Sequence, residues 1–352
     1  MSVHKRAVAP FVAAFLSLAS ASLAVSQTPQ KPPDEEIDVV KVETSFVTVP
    51  ISIKTHGKIV TDVRREEIHI FEDGVEQRIV YFDPPDSFSE SSTGPAVSLP
   101  DQKPLTVAVL IDVSDSTEFK LKRIQEAAAA FSSLLRTDDK MLLMSFDKNV
   151  RVLTDATSDR TALLAGINQL RTGGGTSIYE AIDSAMTWFS HMSGRKAIVV
   201  LTDGVDTASP RATYESTLSL TARSDVVIYP IQYDTYSDFA DSTSRQGTAV
   251  AGITTMGHAT KNGESASEAY KRARMYLSEL ARLSGGTLRY SDTLKNLTKS
   301  FAQVAAQLRE QYTLGYYPTN KTASGASRKI KVTVDRPGLN VSNRKTYIYA
   351  PR

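Results

Sequence analysis

The sequence predicts an α/β domain, a central and mostly parallel sheet with helices on both faces, enclosed by two shorter β segments. Three observations carry this. Short apolar runs, Val107–Ile111, Met141–Phe146, Ala197–Leu201 and Val226–Ile231, are separated by helical patterns, the arrangement that lays strands side by side with crossover helices between them. Strict two-residue alternation marks the flanks, with Val47, Val49, Ile51 and Ile53 near one end and Ile330, Val332 and Val334 near the other. Two of the apolar runs lead into an acid, Asp112 and Asp203, at the strand ends where open α/β sheets bind ligands.

In chain order, residues 1–26 carry His4, Lys5 and Arg6, an apolar stretch from Ala7 to Leu18, and small residues through Ser26. This reads as a secretory signal peptide cut near Ser26, because the stretch is shorter than the ~20 residues that a membrane span needs. The mature chain is therefore expected to be secreted or periplasmic, without a transmembrane segment. It has no Cys, so neither a lipid anchor on Cys nor a disulfide is available. The 352 residues, 41% hydrophobic, are enough for two domains with cores. Lys and Arg number 41 against 39 Asp and Glu, and that balance argues against nucleic acid or an anionic membrane as partner.

Residues 27–44 are rich in Pro and acids and read as a linker. Residues 45–83 begin a small β domain, with turns at His56-Gly57-Lys58 and Asp73-Gly74. A second linker, residues 84–104, is rich in Pro, Ser and Asp. The α/β domain then spans residues 105–311. Its first helix starts at about Glu118 and presents Leu121, Ile124, Ala127, Ala128 and Phe131 at helical spacing. Val150–Leu153 forms a short strand, and helices follow at about 159–170, 179–190, 211–222, 269–283 and 294–311. Residues 234–267, rich in Gly, Ser and Thr, form a long loop insertion leaving the end of strand Val226–Ile231. Residues 312–352 return to β alternation. Neither terminal segment has enough strands to be stable alone, so the two are expected to pair as one β-sandwich with the α/β domain inserted between them.

The loop after Val107–Ile111 reads Asp112-Val113-Ser114-Asp115-Ser116. One carboxylate and two hydroxyls suit a hard cation such as Mg²⁺, Mn²⁺ or Ca²⁺ better than zinc. Arg171–Ser177 reads RTGGGTS, in which Thr176 follows three glycines that allow close backbone approach. Ala197–Gly204 ends in Thr202-Asp203-Gly204. In order, Asp112, Ser114, Ser116, Thr176 and Asp203 resemble the metal-ion-dependent adhesion site (MIDAS) of von Willebrand factor type A (VWA) domains, whose fold is Rossmann-like. The chain also resembles secreted bacterial VWFA-related proteins in Phe71-Glu72-Asp73-Gly74, in Tyr312-Thr313-Leu314-Gly315-Tyr316-Tyr317-Pro318 and in Arg336-Pro337-Gly338.

The resemblance implies inner metal ligands at Ser114, Ser116 and Thr176, with Asp112 and Asp203 orienting waters or alternating as ligands. It implies Mg²⁺, or Mn²⁺ or Ca²⁺, as the cofactor. Hydroxyl ligands leave the cation under-neutralised, so the expected partner is a protein presenting Asp or Glu, as in cell adhesion. Asp115 departs from the Gly that the family often has there and adds a negative charge. Capping of the following helix explains Asp112, Ser114 and Ser116 but not Thr176 and Asp203. Asp206 reads as a turn residue, and Trp188 as core packing. An enzyme is not expected. Ser114 occupies the place where aspartyl-phosphate chemistry usually has a second acid, and neither a nucleotide-binding loop nor a Ser-His or Cys-His couple is present. The alternative role is envelope assembly through the β-sandwich.

Overall fold

The computed structural model describes residues 46–85, 104–192, 194–233, 265–291, 294–321 and 325–349. The expected signal peptide, the first linker and nearly all of the second linker and of the 234–267 loop lie outside the described residues. Within them, fifteen strands and six α-helices make three sheets.

The N-terminal strands are β1 (Val47–Thr55), β2 (Lys58–Ile59), β3 (Ile68–Glu72), β4 (Val75–Gln77) and β5 (Ile79–Asp83). In β1 the alternating Val47, Val49, Ile51 and Ile53 are all buried. His56 and Gly57 (φ 46° and 79°) turn β1 into β2, and Asp73 and Gly74 (φ 48° and 87°) turn β3 into β4. Two successive left-handed residues match the right-handed twist of a tight hairpin.

The α/β region contains β6 (Leu105–Asp112), α1 (Leu121–Leu134), β7 (Lys140–Phe146), β8 (Val150–Thr157), α2 (Arg160–Ile167), α3 (Ile178–Phe189), β9 (Arg195–Thr202), α4 (Tyr214–Arg223), β10 (Val227–Tyr233), α5 (Ala266–Ser284), β11 (Arg289–Ser291) and α6 (Leu294–Arg309). The sheet order is β11-β10-β9-β6-β7-β8. All neighbours are parallel except β7 and β8. Every residue of β6 is buried, as expected of a central strand covered on both faces. Val107, Val109 and Ile111 pack on one face with Phe131 and Phe301, whereas Ala108 and Leu110 pack on the other with Ile182 and Leu277. The Phe131 and Phe301 rings lie 5.3 Å apart and join α1 to α6, a contact worth about 0.5–1.5 kcal/mol beyond its buried area.

Two expectations change in detail. The segment after β6 is first a 3-10 helix, Asp115–Lys120, and the α-helix starts only at Leu121. Strand β8 runs to Thr157 rather than to Leu153 and is an antiparallel edge. Edge position explains why its apolar pattern fades, since Arg151 and Val152 face solvent.

The chain ends in β12 (Tyr312–Tyr316), β13 (Ser327–Val334), β14 (Asn340–Asn343) and β15 (Thr346–Ile348). These strands interleave with the N-terminal ones in two antiparallel sheets, β14-β1-β12-β5 and β15-β13-β3-β4. Val49, Ile51, Ile70, Leu314, Ile330 and Tyr347 share one core between them. Inside it, Glu72 accepts hydrogen bonds from the hydroxyls of Tyr316 (2.6 Å) and Tyr347 (2.7 Å). Two arginines tie this two-sheet body to the α/β region. Arg195 donates to the Leu308 carbonyl in α6 (2.7 Å) and lies 3.5 Å from Asp83; Arg344 donates to the carbonyls of Ser224 and Thr48.

Candidate metal centre

Parallel pairing of β6 with β9 sets Ile111 opposite Leu201, so Asp112 and Asp203 leave neighbouring strands at the same edge of the sheet. Both are buried, Asp112 completely. One oxygen of Asp112 accepts the Ser114 amide at 3.0 Å and the other accepts the Thr202 hydroxyl at 2.6 Å. Thr202 in turn accepts the Gly204 amide at 2.9 Å, and Asp203 accepts the Val205 amide at 3.1 Å. Burial, reinforced by the charge of Asp203, pushes the Asp112 carboxyl up to about 7, against the lowering effect of its hydrogen bonds from the Thr202 hydroxyl and from the hydroxyl and amide of Ser114.

The glycine loop joins the same edge. Gly173 donates to the Val113 carbonyl at 2.8 Å and forms a parallel bridge with Ser114. Thr176 is buried; its amide donates to the Thr207 hydroxyl at 2.8 Å, and its carbonyl accepts the amides of Thr207 and Ala208. Three loops, holding Ser114, Thr176 and Asp203, are thus laced together by backbone bonds. Ser116 lies in the 3-10 turn; its side chain is outside the described residues. Asp115 is exposed, and its carboxylate lies against the Gly174 backbone.

The sequence reasoning passed over two residues. Asp147, after β7, is buried and bonds to Arg151 (3.0 Å) and to the Asn149 amide (2.6 Å). It packs so closely on Gly173 that a Cβ there would stand 2.0 Å from its oxygen. Its position directly after an apolar strand was the available signal. Thr202, read only as part of a tripeptide, is the residue that holds Asp112. Asp206 accepts hydrogen bonds from Ser209 and from the Tyr179 amide in the first turn of α3, a structural duty.

Among the described residues no group of three or more His, Cys, Asp or Glu side chains is placed to hold a metal ion. The donors at this edge are instead two carboxylates supplemented by hydroxyls. That set fits a hard, oxygen-seeking divalent cation, and a buried acid raised by a second acid is the electrostatic condition that such a cation relieves.

Residues 107–205 match the von Willebrand factor type A domain. The chain contains a VWA domain, and the strand ends just described fall at its two extremes. No curated protein matches the chain. Among solved structures it is similar to a von Willebrand factor type A protein from Catenulispora acidiphila, at 12% identity over 87% of this chain and 74% of that one, with a TM-score of 0.46. It is also similar to the VWF domain of the type V pili tip protein Mfa5 from Porphyromonas gingivalis, at 13% identity over 58% and 94%, TM-score 0.43. A third is proximal thread matrix protein 1 from the mussel byssus, in a form with a zinc-occupied MIDAS motif, at 14% identity over 61% and 48%, TM-score 0.44. Among the described residues no helix is long and apolar enough to cross a membrane.

Proposed function

We propose that this protein is a secreted or periplasmic binding module, not an enzyme, which captures an Asp or Glu of a protein partner through a divalent cation, Mg²⁺ by preference. The supporting observation is the convergence of Asp112, Ser114, Thr176 and Asp203 from three hydrogen-bonded loops on one edge of the sheet. Ser114, Ser116 and Thr176 would hold the ion and Asp112 and Asp203 would orient its waters. When bound, the ion supplies a positive centre with room for one more oxygen ligand. The chain's own part is to keep that edge rigid. Thr202 and the Ser114 amide fix the Asp112 carboxylate, and the Gly173 bridge sets the distance between two of the loops.

The two-sheet body is read as a β-sandwich that carries the VWA domain. Arg195, which donates to Leu308 of α6 and lies 3.5 Å from Asp83 of the two-sheet body, would pass a shift of that helix to the sandwich. Binding of a panel of immobilised acidic peptides in Mg²⁺ and in EDTA tests the reading. Binding that needs Mg²⁺ and disappears in Ser114→Ala and Thr176→Ala is expected. Binding that survives EDTA and both variants would transfer the role to the sandwich.

A further inference from the structure

The seam between the two-sheet body and the α/β region contains a cleft. It measures about 410 Å³, counting space open to solvent, and is lined by Phe46, Thr48, Arg223, Asp225, Arg344 and Tyr347 together with their neighbours. It adjoins Ser224, the C-cap of α4, at the end of the sheet where β10 begins. Asp112 and Asp203 lie at the opposite edge.

Arg344 is 4% exposed, yet its partners are neutral groups. Its Nη1 donates to the Ser224 carbonyl at 2.8 Å and its Nη2 to the Thr48 carbonyl at 2.7 Å. The guanidinium stacks over the Tyr347 ring, 5.3 Å from its centre. Its Nε, itself buried, has no hydrogen-bond partner. The carbonyl at a helix C-terminus offers only a partial negative charge. Asp225, the acid among the lining residues, is engaged by Lys196 at 2.7 Å. The guanidinium therefore shares its nearest acid with Lys196, and burial pulls its pKa below the ordinary arginine value against the opposing influence of Tyr316, Asp225 and Tyr347.

We propose that this cleft binds a carboxylate, received by the Nε edge of Arg344, with the apolar stem of the ligand against Phe46 and Tyr347. A planar fork of N–H donors matches a carboxylate with two parallel bonds. The charge of Asp225 in the same lining repels a singly charged carboxylate about half as strongly as a doubly charged phosphate. Because Arg344 already bridges Thr48 of the two-sheet body and Ser224 of the α/β region, the ligand would sit on the joint between them.

Phenylacetate, with its uncharged amide phenylacetamide as control, is titrated into the full chain in EDTA. Binding is followed by calorimetry and by the side-chain Nε–H resonance of Arg344. The expected result is saturable phenylacetate binding that moves this resonance, with the amide at least about tenfold weaker, as the loss of a charge-assisted bond requires. Arg344→Gln should abolish binding, exposed Arg223→Ala should weaken it a few-fold, and Ser114→Ala should leave it intact. Equal affinity for acid and amide, or an Arg344 resonance that stays still at saturation, would overturn the proposal even where Arg344→Gln does not fold. Loss of binding in Ser114→Ala would overturn it too, by moving the carboxylate to the other edge of the sheet.

Discussion

Glu72 and Asp112 are both buried carboxylates, and the chain treats them differently. Glu72 receives two tyrosine hydroxyls and lies 3.6 Å from the buried guanidinium of Arg328. Those partners come from both sheets, so the acid acts as an internal rivet. Asp112 receives the Ser114 amide and the hydroxyls of Thr202 and Ser114 and faces a second acid, Asp203. The first cluster holds a cation of the chain's own; the second, on the proposed reading, takes one from outside. That reading makes Glu72 an acid kept for folding and Asp112 an acid kept for binding, although both are buried.

Removing the rivet should have the largest effect on the fold. Glu72→Ala leaves two tyrosine hydroxyls without their acceptor and the buried Arg328 with Asp73 as its remaining acid, and breaking such a buried pair costs about 3–5 kcal/mol. Denaturant unfolding should show that loss, with metal affinity unchanged in whatever fraction folds. A next effect is stabilisation of wild type by Mg²⁺ or Mn²⁺. At a hundredfold excess over Kd it should reach about 2.7 kcal/mol, read as a rise in Tm that Asp112→Ala lacks. A cation that stabilises both proteins equally would break the comparison.

Gly173→Ala should cost about 1–3 kcal/mol through overpacking against Asp147 and weaken metal binding, because the loop carrying Thr176 must move. If metal affinity is unaffected, the Gly173 bridge to Ser114 does not set the site.

The remaining effects concern pH. In metal-free protein the folded Asp112 carboxyl, at about 7 against an ordinary 3.8, binds its proton more tightly than the unfolded chain does. Stability should therefore fall as pH rises from about 4 to about 7, and Asp112→Asn should flatten that slope. His69 has the opposite kind of partner. Glu76 and Asp335 at 2.8 and 3.2 Å raise its pKa. Its contribution is full below the unfolded value of about 6.5 and lost as pH rises through the folded one. At this exposed position it should be worth a few tenths of a kcal/mol, checked by comparing His69→Gln at pH 5 and pH 8.

Much of this contrast was legible before any coordinates. Buried strands such as β6 and β9 have no solvent face, so they appear as unbroken apolar runs, and the acid at the end of each is conspicuous. The alternation of β1 and β13 announced half-covered sheets in the same way. Pairing between the two chain ends followed from the marginal stability of each alone, and β1 lies between β12 and β14. The edge strand β8 was cut short because an edge needs little apolar surface. Asp147 was passed over because its duty depends on a contact with Gly173, 26 residues away, that no local pattern encodes. The Glu72 rivet was likewise hidden. Its motif stood out, but the meeting of Glu72 with Tyr316 and Tyr347 is set by sheet packing alone.

The most direct test of the central claim is calorimetric titration of Mg²⁺ and Mn²⁺ into the purified chain, wild type beside Asp112→Ala, with circular dichroism to establish that both are folded. Saturable binding near one ion per chain, lost in the variant, is the predicted result. Two folded proteins that take up no ion, or take it up equally, would contradict it and leave Asp112 and Asp203 as structural acids like Glu72.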